Sequence, residues 1–398
     1  MVAKGIQFVL LIMLSLVVAQ AQDLASLRQA VDANPSDAQA WVALGDAYIN
    51  ANDLEQAETA FFEAIALDYL SGDAHFGYGL VKFNQGNLDA ALFEFSEMAR
   101  LYPERFDAHF NRAVTLANLD QANDAIGAFQ DAIAQADPEA SESDVIAAYT
   151  GLAGQLIKVQ NYSQAADAYA AAQEIDVSNE LAFLQAEALN LAGRGLEALP
   201  ILTMLENAMG DHRISTLRAD IYIAAGQPDF AMRALERALG RALEDSEAQA
   251  TILVKMGLIQ RDQGDESAAI ASFQNATRLD PSNLVAYYNL GVALLDAERY
   301  MEAVPALEAA FSLNRSDGNL RLALATAYDN VQRVSDAAVQ AEAALEVLEN
   351  PTLVLRAQFI LGRSLYMLGG YNEALDQLMD VVTADPGNAL AQTWVGLT

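Results

Sequence analysis

Small, aromatic and aliphatic residues return along this chain in a fixed order, about every 34 positions. Gly45 and Gly79 stand 34 apart, as do Gly257 and Gly291; Ala57, Ala91 and Ala125 keep the same step, and so do Phe61, Phe95 and Phe129. A constant period in this range predicts a solenoid, in which each unit buries its apolar face only against its neighbours. Apolar positions within a unit fall at i, i+4 and i+7, the spacing of one helix face. The predicted helices run to about 12–14 residues and are marginal alone, so stacking must stabilise them.

The order of residues within the period carries a family resemblance. The first full unit places Trp41, Leu44, Gly45, Tyr48, Ala57, Phe61 and Ala64 in sequence. The seventh places Met256, Gly257, Gly264, Ala269, Phe273, Ala276 and Pro281, and the tenth Leu361, Gly362, Gly369, Tyr371, Ala374 and Pro386. This resembles the tetratricopeptide repeat, a helix–turn–helix unit with the pattern W-x₂-L-G-x₂-Y…A-x₃-F…P. The resemblance implies an all-α, right-handed superhelical solenoid of about ten helix–turn–helix repeats with flanking half-repeats. The small residue after Leu44, Tyr78 and Leu290 lets the two helices of a hairpin approach, and Phe61, Phe95, Phe129, Phe273 and Leu307 fill the space between repeats. Gly86, Gly193, Gly226, Gly264 and Gly369 are expected to end first helices in left-handed geometry.

Units begin near residues 38, 72, 106, 146, 179, 212, 250, 284, 318 and 355, giving longer steps before the fourth, seventh and tenth. Extra residues at the last two fit an added helical turn. Before the fourth, the run Ala140-Ser141-Glu142-Ser143-Asp144 reads as an acidic linker or hinge over 140–145. The expected organisation is therefore a signal peptide at 1–21, a cap helix and repeats one to three over 22–139, that linker, repeats four to ten over 146–388, and a truncated cap helix at 389–398.

Composition changes the picture in three ways. Asp and Glu number 54 against 22 Lys and Arg, a formal net charge of −32. No basic stripe exists for phosphates, which disfavours nucleic acid and anionic lipid as partners. Cysteine is absent, which excludes disulfides, zinc–thiolate sites and a lipoprotein anchor. Lys4, the apolar run Ile6 to Val18 and the small-x-small Ala19-Gln20-Ala21 read as an export signal cleaved after Ala21. That run is short of the roughly 20 residues that span a bilayer. The expected location is the bacterial periplasm or cell envelope, with no stable membrane anchor after cleavage.

In the resembled family the first helix of each repeat lines a concave wall where partner segments lie. The corresponding face carries Phe76, Leu80 and Phe83 in repeat two, Phe110 in repeat three, Tyr288 and Leu295 in repeat eight, and Phe359 and Tyr366 in repeat ten. Large apolar groups here act either as anchors for a partner or as packing between neighbouring first helices. A second series, Asn84, Asn111, Asn118 and Asn289, offers both donors and acceptors for an extended peptide backbone, or simply caps helix ends. Family members that bind chaperone C-termini use a basic cluster; the matching places here read Val42, Asp46, Phe76, Asp107 and Asn111, so that activity is not implied.

Catalytic spacing is absent, and no cofactor or metal is expected. His75 and His109 sit in a repeated Asp-Ala-His-Phe and occupy the Trp slot, which marks them as packing residues. The reading that follows is a non-enzymatic scaffold or adaptor that binds extended or helical segments of other envelope proteins. The alternative is a self-associating structural component of an envelope assembly such as pilus, secretion or surface-layer machinery, joined through its C-terminal end. An enzyme or glycan-binding protein using the same wall is a third class.

Overall fold

The structure, a computed structural model, describes residues 24–136 and 140–398; the expected signal segment 1–21 lies outside them. Every regular element among the described residues is an α-helix. The first eight are α1 (Leu24–Ala33), α2 (Ala38–Asn50), α3 (Leu54–Leu67), α4 (Gly72–Asn84), α5 (Leu88–Leu101), α6 (Phe106–Asn118), α7 (Ala122–Ala134) and α8 (Glu142–Lys158). Then come α9 (Tyr162–Ile175), α10 (Asn179–Leu191), α11 (Gly195–Ala208), α12 (His212–Ala224), α13 (Pro228–Arg241), α14 (Ser246–Asp262) and α15 (Glu266–Leu279). The last seven are α16 (Leu284–Asp296), α17 (Tyr300–Leu313), α18 (Gly318–Asn330), α19 (Val334–Leu345), α20 (Pro351–Met367), α21 (Tyr371–Ala384) and α22 (Ala389–Leu397). From α2 onward they pair as hairpins that stack into an all-α repeat solenoid, flanked by the single helices α1 and α22.

The chain divides into two compact units between Leu205 and Glu206, inside α11. Residues 142–145, expected as part of a linker or hinge, are the first turn of α8. Glu142 and Asp144 favour that turn because carboxylates meet the unpaired N–H groups at a helix start. The long steps before the seventh and tenth units have one cause: α14 and α20 each run to 17 residues, one turn more than their 13-residue counterparts such as α2 and α4; before the fourth, α8 has the same 17 residues and the connection from α7 to it is longer as well.

Hairpin packing follows from pairs set 16 residues apart. A Cβ added to Gly45 would lie 2.7 Å from the Phe61 ring, one on Gly79 2.7 Å from Phe95, and one on Gly257 2.6 Å from Phe273. Leucine takes the aromatic's place in two of the glycine repeats, Leu307 over Gly291 and Leu378 over Gly362. Phe61 also seats the next repeat, since a Cβ on Gly77 would meet its ring at 2.2 Å. The large residue is thus clamped between two helices that approach to backbone contact, as close packing requires.

Every hairpin turns through a left-handed residue two positions after its first helix. Glycine serves at Gly86, Gly193, Gly226, Gly264 and Gly369, as expected, but Asn52, Asp120, Gln160, Glu298 and Gln332 adopt the same geometry at φ between 57° and 61°. The following N–H then reaches back over the helix end, as Asp53 N does to Tyr48 O at 2.9 Å. Asp53, Asn87, Asn161 and Asp265 next cap the second helices with their side chains. Arg194, Arg299 and Arg333 stand at that position elsewhere and pair instead with Glu197, Glu302 and Asp336.

Candidate interaction surface

First helices of successive repeats pack on one another, α2 on α4 and α6 on α8 in the N-terminal unit, and α14, α16, α18 and α20 in succession in the C-terminal unit. Among the described residues second helices do not meet in this way. Each stack therefore curves with its first helices on the inner side, and their free faces form a wall.

The Trp slot holds this wall to the loop before it. Trp41 Nε1 donates to Pro35 O at 3.0 Å, and His75 and His109 use Nε2 in the same way toward Tyr69 O and Pro103 O, both at 2.9 Å. The three share a ring N–H placed to reach a carbonyl six residues back, which explains how histidine replaces tryptophan here. His75 carries a second bond, Nδ1 lying 2.6 Å from Glu94 Oε2 with both groups buried. Both ring nitrogens face acceptor oxygens, so the pair holds a shared proton. Burial alone would lower the His75 pKa, but the Glu94 and Tyr69 bonds outweigh it and raise it. A raised histidine stabilises the fold fully below its unfolded value and loses that contribution as pH rises through the folded one. The stability gap between the native chain and His75→Phe should accordingly be widest at pH below histidine's ordinary value and narrow as pH rises above it in urea titrations; a pH-independent gap would show that no proton is held.

The sequence-predicted wall residues divide by exposure. Leu80, Phe110 and Asn289 are buried, Phe110 between Phe106 and Phe129 with ring centroids at 5.6 and 6.0 Å. These three are covered by the protein's own atoms and offer little surface to a partner. Phe76, Phe83, Asn111, Tyr288, Leu295, Phe359 and Tyr366 are half-buried, while Asn84 and Asn118 are exposed. Phe76 leans on Phe95 at 6.3 Å, and Tyr366 packs edge-on to both Tyr371 and Trp394 at 5.3 Å. Packing and presentation are therefore combined in the same rings.

The asparagines follow one rule. Asn84, Asn111, Asn118 and Asn289 each donate Nδ2 to the carbonyl four residues back, at 2.8 Å. This fixes each amide and turns its oxygen away from the helix; Asn289 Oδ1 accepts from Arg261 at 3.4 Å.

Charge differs between the walls of the two units. In the first, burial pushes the Asp46 carboxyl up to about 6 and nearby Asp73 adds to the rise. Arg105 bridges Asp73 at 2.8 Å and Asp107 at 2.6 Å. In the second, Arg261 lies beside Asn289 and Arg363 pairs with the buried Asp329 at 3.2 Å, its guanidinium 5.7 Å from the Trp394 ring. Burial raises the Asp329 carboxyl, and Arg363 opposes that. Burial likewise raises the Tyr288 hydroxyl, with Asp317 reinforcing it and Arg261 opposing. Arg261 was legible from register alone, since it shares the slot of Leu295 and Tyr366.

Tetratricopeptide-repeat profiles match residues 24–68, 42–104, 83–141, 284–317 and 322–389, and a TPR-repeat profile matches 257–297. The chain belongs to the tetratricopeptide-repeat family. No curated protein matches it in sequence. Among solved structures it is similar to the C-terminal part of a TPR repeat-containing protein from Cytophaga hutchinsonii, at 16% identity and a TM-score of 0.49, over 61% of this chain and 98% of that one. A tetratricopeptide repeat protein from Parabacteroides merdae is 21% identical, with a TM-score of 0.40 over 65% and 98%. The pilF protein of Pseudomonas aeruginosa is 17% identical, with a TM-score of 0.41 over 65% and 99%.

Proposed function

We propose that this chain is a non-enzymatic scaffold of the bacterial cell envelope that binds segments of other proteins along its first-helix walls. Repeats of this family support a protein-interaction role in general. The observation that carries the finer reading is the set of half-buried rings on first helices, Phe76 and Phe83 in one unit and Tyr288, Phe359 and Tyr366 in the other. Such rings add apolar area to a contact at little entropic cost, because packing already holds them. The fixed amide oxygens of Asn84 and Asn118 suit the backbone N–H groups of an extended segment, which need acceptors but not a particular sequence. Export rests on Lys4, the Ile6 to Val18 run and Ala19-Gln20-Ala21. No helix among the described residues is long and apolar enough to cross a membrane.

Partner capture from envelope extracts tests the wall. Phe83→Ser and Tyr288→Ser together should reduce recovered partner at least about tenfold, equal to about 1.4 kcal/mol, while circular dichroism stays helical. Undiminished capture would place the partner elsewhere.

A further inference from the structure

Negative charge is concentrated on one wall. Register carries the first-helix slots of Asp73, Phe76, Leu80, Phe83 and Asn84 through every repeat. In the C-terminal unit these slots hold four arginines, Arg261 and Arg363 among them, balanced by four aspartates. In the N-terminal unit they hold Asp46, Asp73, Asp107, Glu180 and Glu187 against the single base Lys158. That base is already held by Asp120 at 3.1 Å. Arg105, just before α6, bridges Asp73 at 2.8 Å and Asp107 at 2.6 Å, so one guanidinium serves two carboxylates. Asp46 and Glu180 are exposed and form no ion pair among the described residues.

The shortage of positive charge falls beside half-buried rings. Asp73, Phe76 and Phe83 lie on one face of α4. Asp46 of α2 stands in the slot that Leu80 and Val114 fill in the next two repeats, near enough to Asp73 for the two charges to oppose each other. It is reached by solvent yet set into the surrounding protein; that burial pushes its carboxyl up to about 6, and Asp73 adds to the rise. A carboxylate so placed is stabilised by a cation supplied from outside. Lysine and arginine suit the whole patch, because their stems pack on apolar surface while the charged head stays at a polar edge. Ring faces attract the same cations.

We propose that the N-terminal wall takes a basic, apolar segment of another protein, a lysine or arginine stem lying across Phe76 with its head between Asp46 and Asp73, and an apolar neighbour against Phe83. The assignment rests on the role proposed above for the walls and names the partner's chemistry for one of them. A purely apolar segment would take water from these carboxylates without replacing it, and an acidic one would add repulsion.

A random peptide library selected on the full chain tests this. At about 0.1 M salt, enriched peptides should carry Lys or Arg next to aromatic or aliphatic residues. A synthetic copy of the strongest should bind Asp46→Lys at least about tenfold more weakly than the native chain. Glu63→Lys makes the same change in net charge at an exposed position on α3, and should leave affinity within about twofold. At about 0.5 M salt the difference between the native chain and Asp46→Lys should shrink. Circular dichroism checks that each variant stays helical. Enriched peptides that are neutral or acidic overturn the proposal; if they still lose affinity for Phe83→Ser, the wall keeps its role and only the partner's chemistry is wrong. A basic peptide weakened equally by Asp46→Lys and Glu63→Lys also overturns it, because the acidic chain then attracts through a diffuse field. A peptide indifferent to both Asp46→Lys and Phe83→Ser overturns this proposal and the role of the wall together.

Discussion

Phe61→Ala is expected to cost the N-terminal unit about 3–5 kcal/mol, at the upper end for a core truncation. Phe61 is fully buried, and the groups facing it are the backbones at Gly45 and Gly77, which would be 2.7 and 2.2 Å from its ring if each carried a Cβ. Neither glycine has a side chain that can swing into the void. Collapse would require the helices α2 and α4 to move together, and they already touch. Most of the cavity therefore persists, and cavity volume is what sets the cost beyond lost transfer energy. Phe61→Leu should cost only about 1–1.5 kcal/mol, because leucine already fills this position over Gly291 and Gly362. Trp41 and Trp394 are the two tryptophans, so a Trp394→Phe background makes urea unfolding report Trp41 and its unit. Equal costs for the two substitutions would mean that the ring is not clamped.

Glu206→Ala should destabilise the C-terminal unit by about 3–5 kcal/mol, through a different mechanism. The Glu206 side chain is 8% exposed; it accepts from Ser215 Oγ at 2.7 Å and from Arg218 Nη1, with Arg241 Nη1 at 3.9 Å. Arg218 is itself only 12% exposed, so alanine would leave a guanidinium out of water with a weak bond to Tyr222 Oη at 3.4 Å as its remaining polar contact. The penalty is that of an uncompensated charge, not the worth of the pair. Glu206→Met combined with Arg218→Met should consequently restore stability to within about 1 kcal/mol of the native chain, since buried pairs are often no better than packed apolar groups. A double variant as unstable as Glu206→Ala would show that the pair adds more than mutual neutralisation. Denaturant midpoints of the three chains decide this.

Register was the readable part of this fold. A glycine or alanine beside a large residue, returning every 34 positions, is a packing rule written in residue size, and the hairpins, glycine turns and long first helices followed from it. Features set by geometry and not by residue type were hidden. Glu298 and Gln332 look like ordinary surface residues, yet the hairpin forces them into the left-handed region that glycine adopts freely. Glu142 and Asp144 looked like linker because acidic, polar runs mark loops, whereas the same charges suit a helix start. The wall was readable as a face, but not residue by residue. Phe110 and Phe76 occupy the same slot, and only the stack shows Phe110 enclosed by Phe106 and Phe129 while Phe76 keeps an open side. The histidines were legible as Trp-slot residues, but their reach to a carbonyl six residues back was not, because it depends on the path of the preceding loop.

The central claim, that first-helix walls are the working surface, is tested most directly by photocrosslinking in the intact envelope. A crosslinking phenylalanine analogue goes in turn at Phe83, Tyr288 and Phe359 on the walls, and at Phe62 and Phe93, which are both 57% exposed on second helices. Adducts to other proteins should form from the wall positions and be absent or at least about tenfold weaker from Phe62 and Phe93. Strong adducts from the second-helix positions with none from the walls would contradict it.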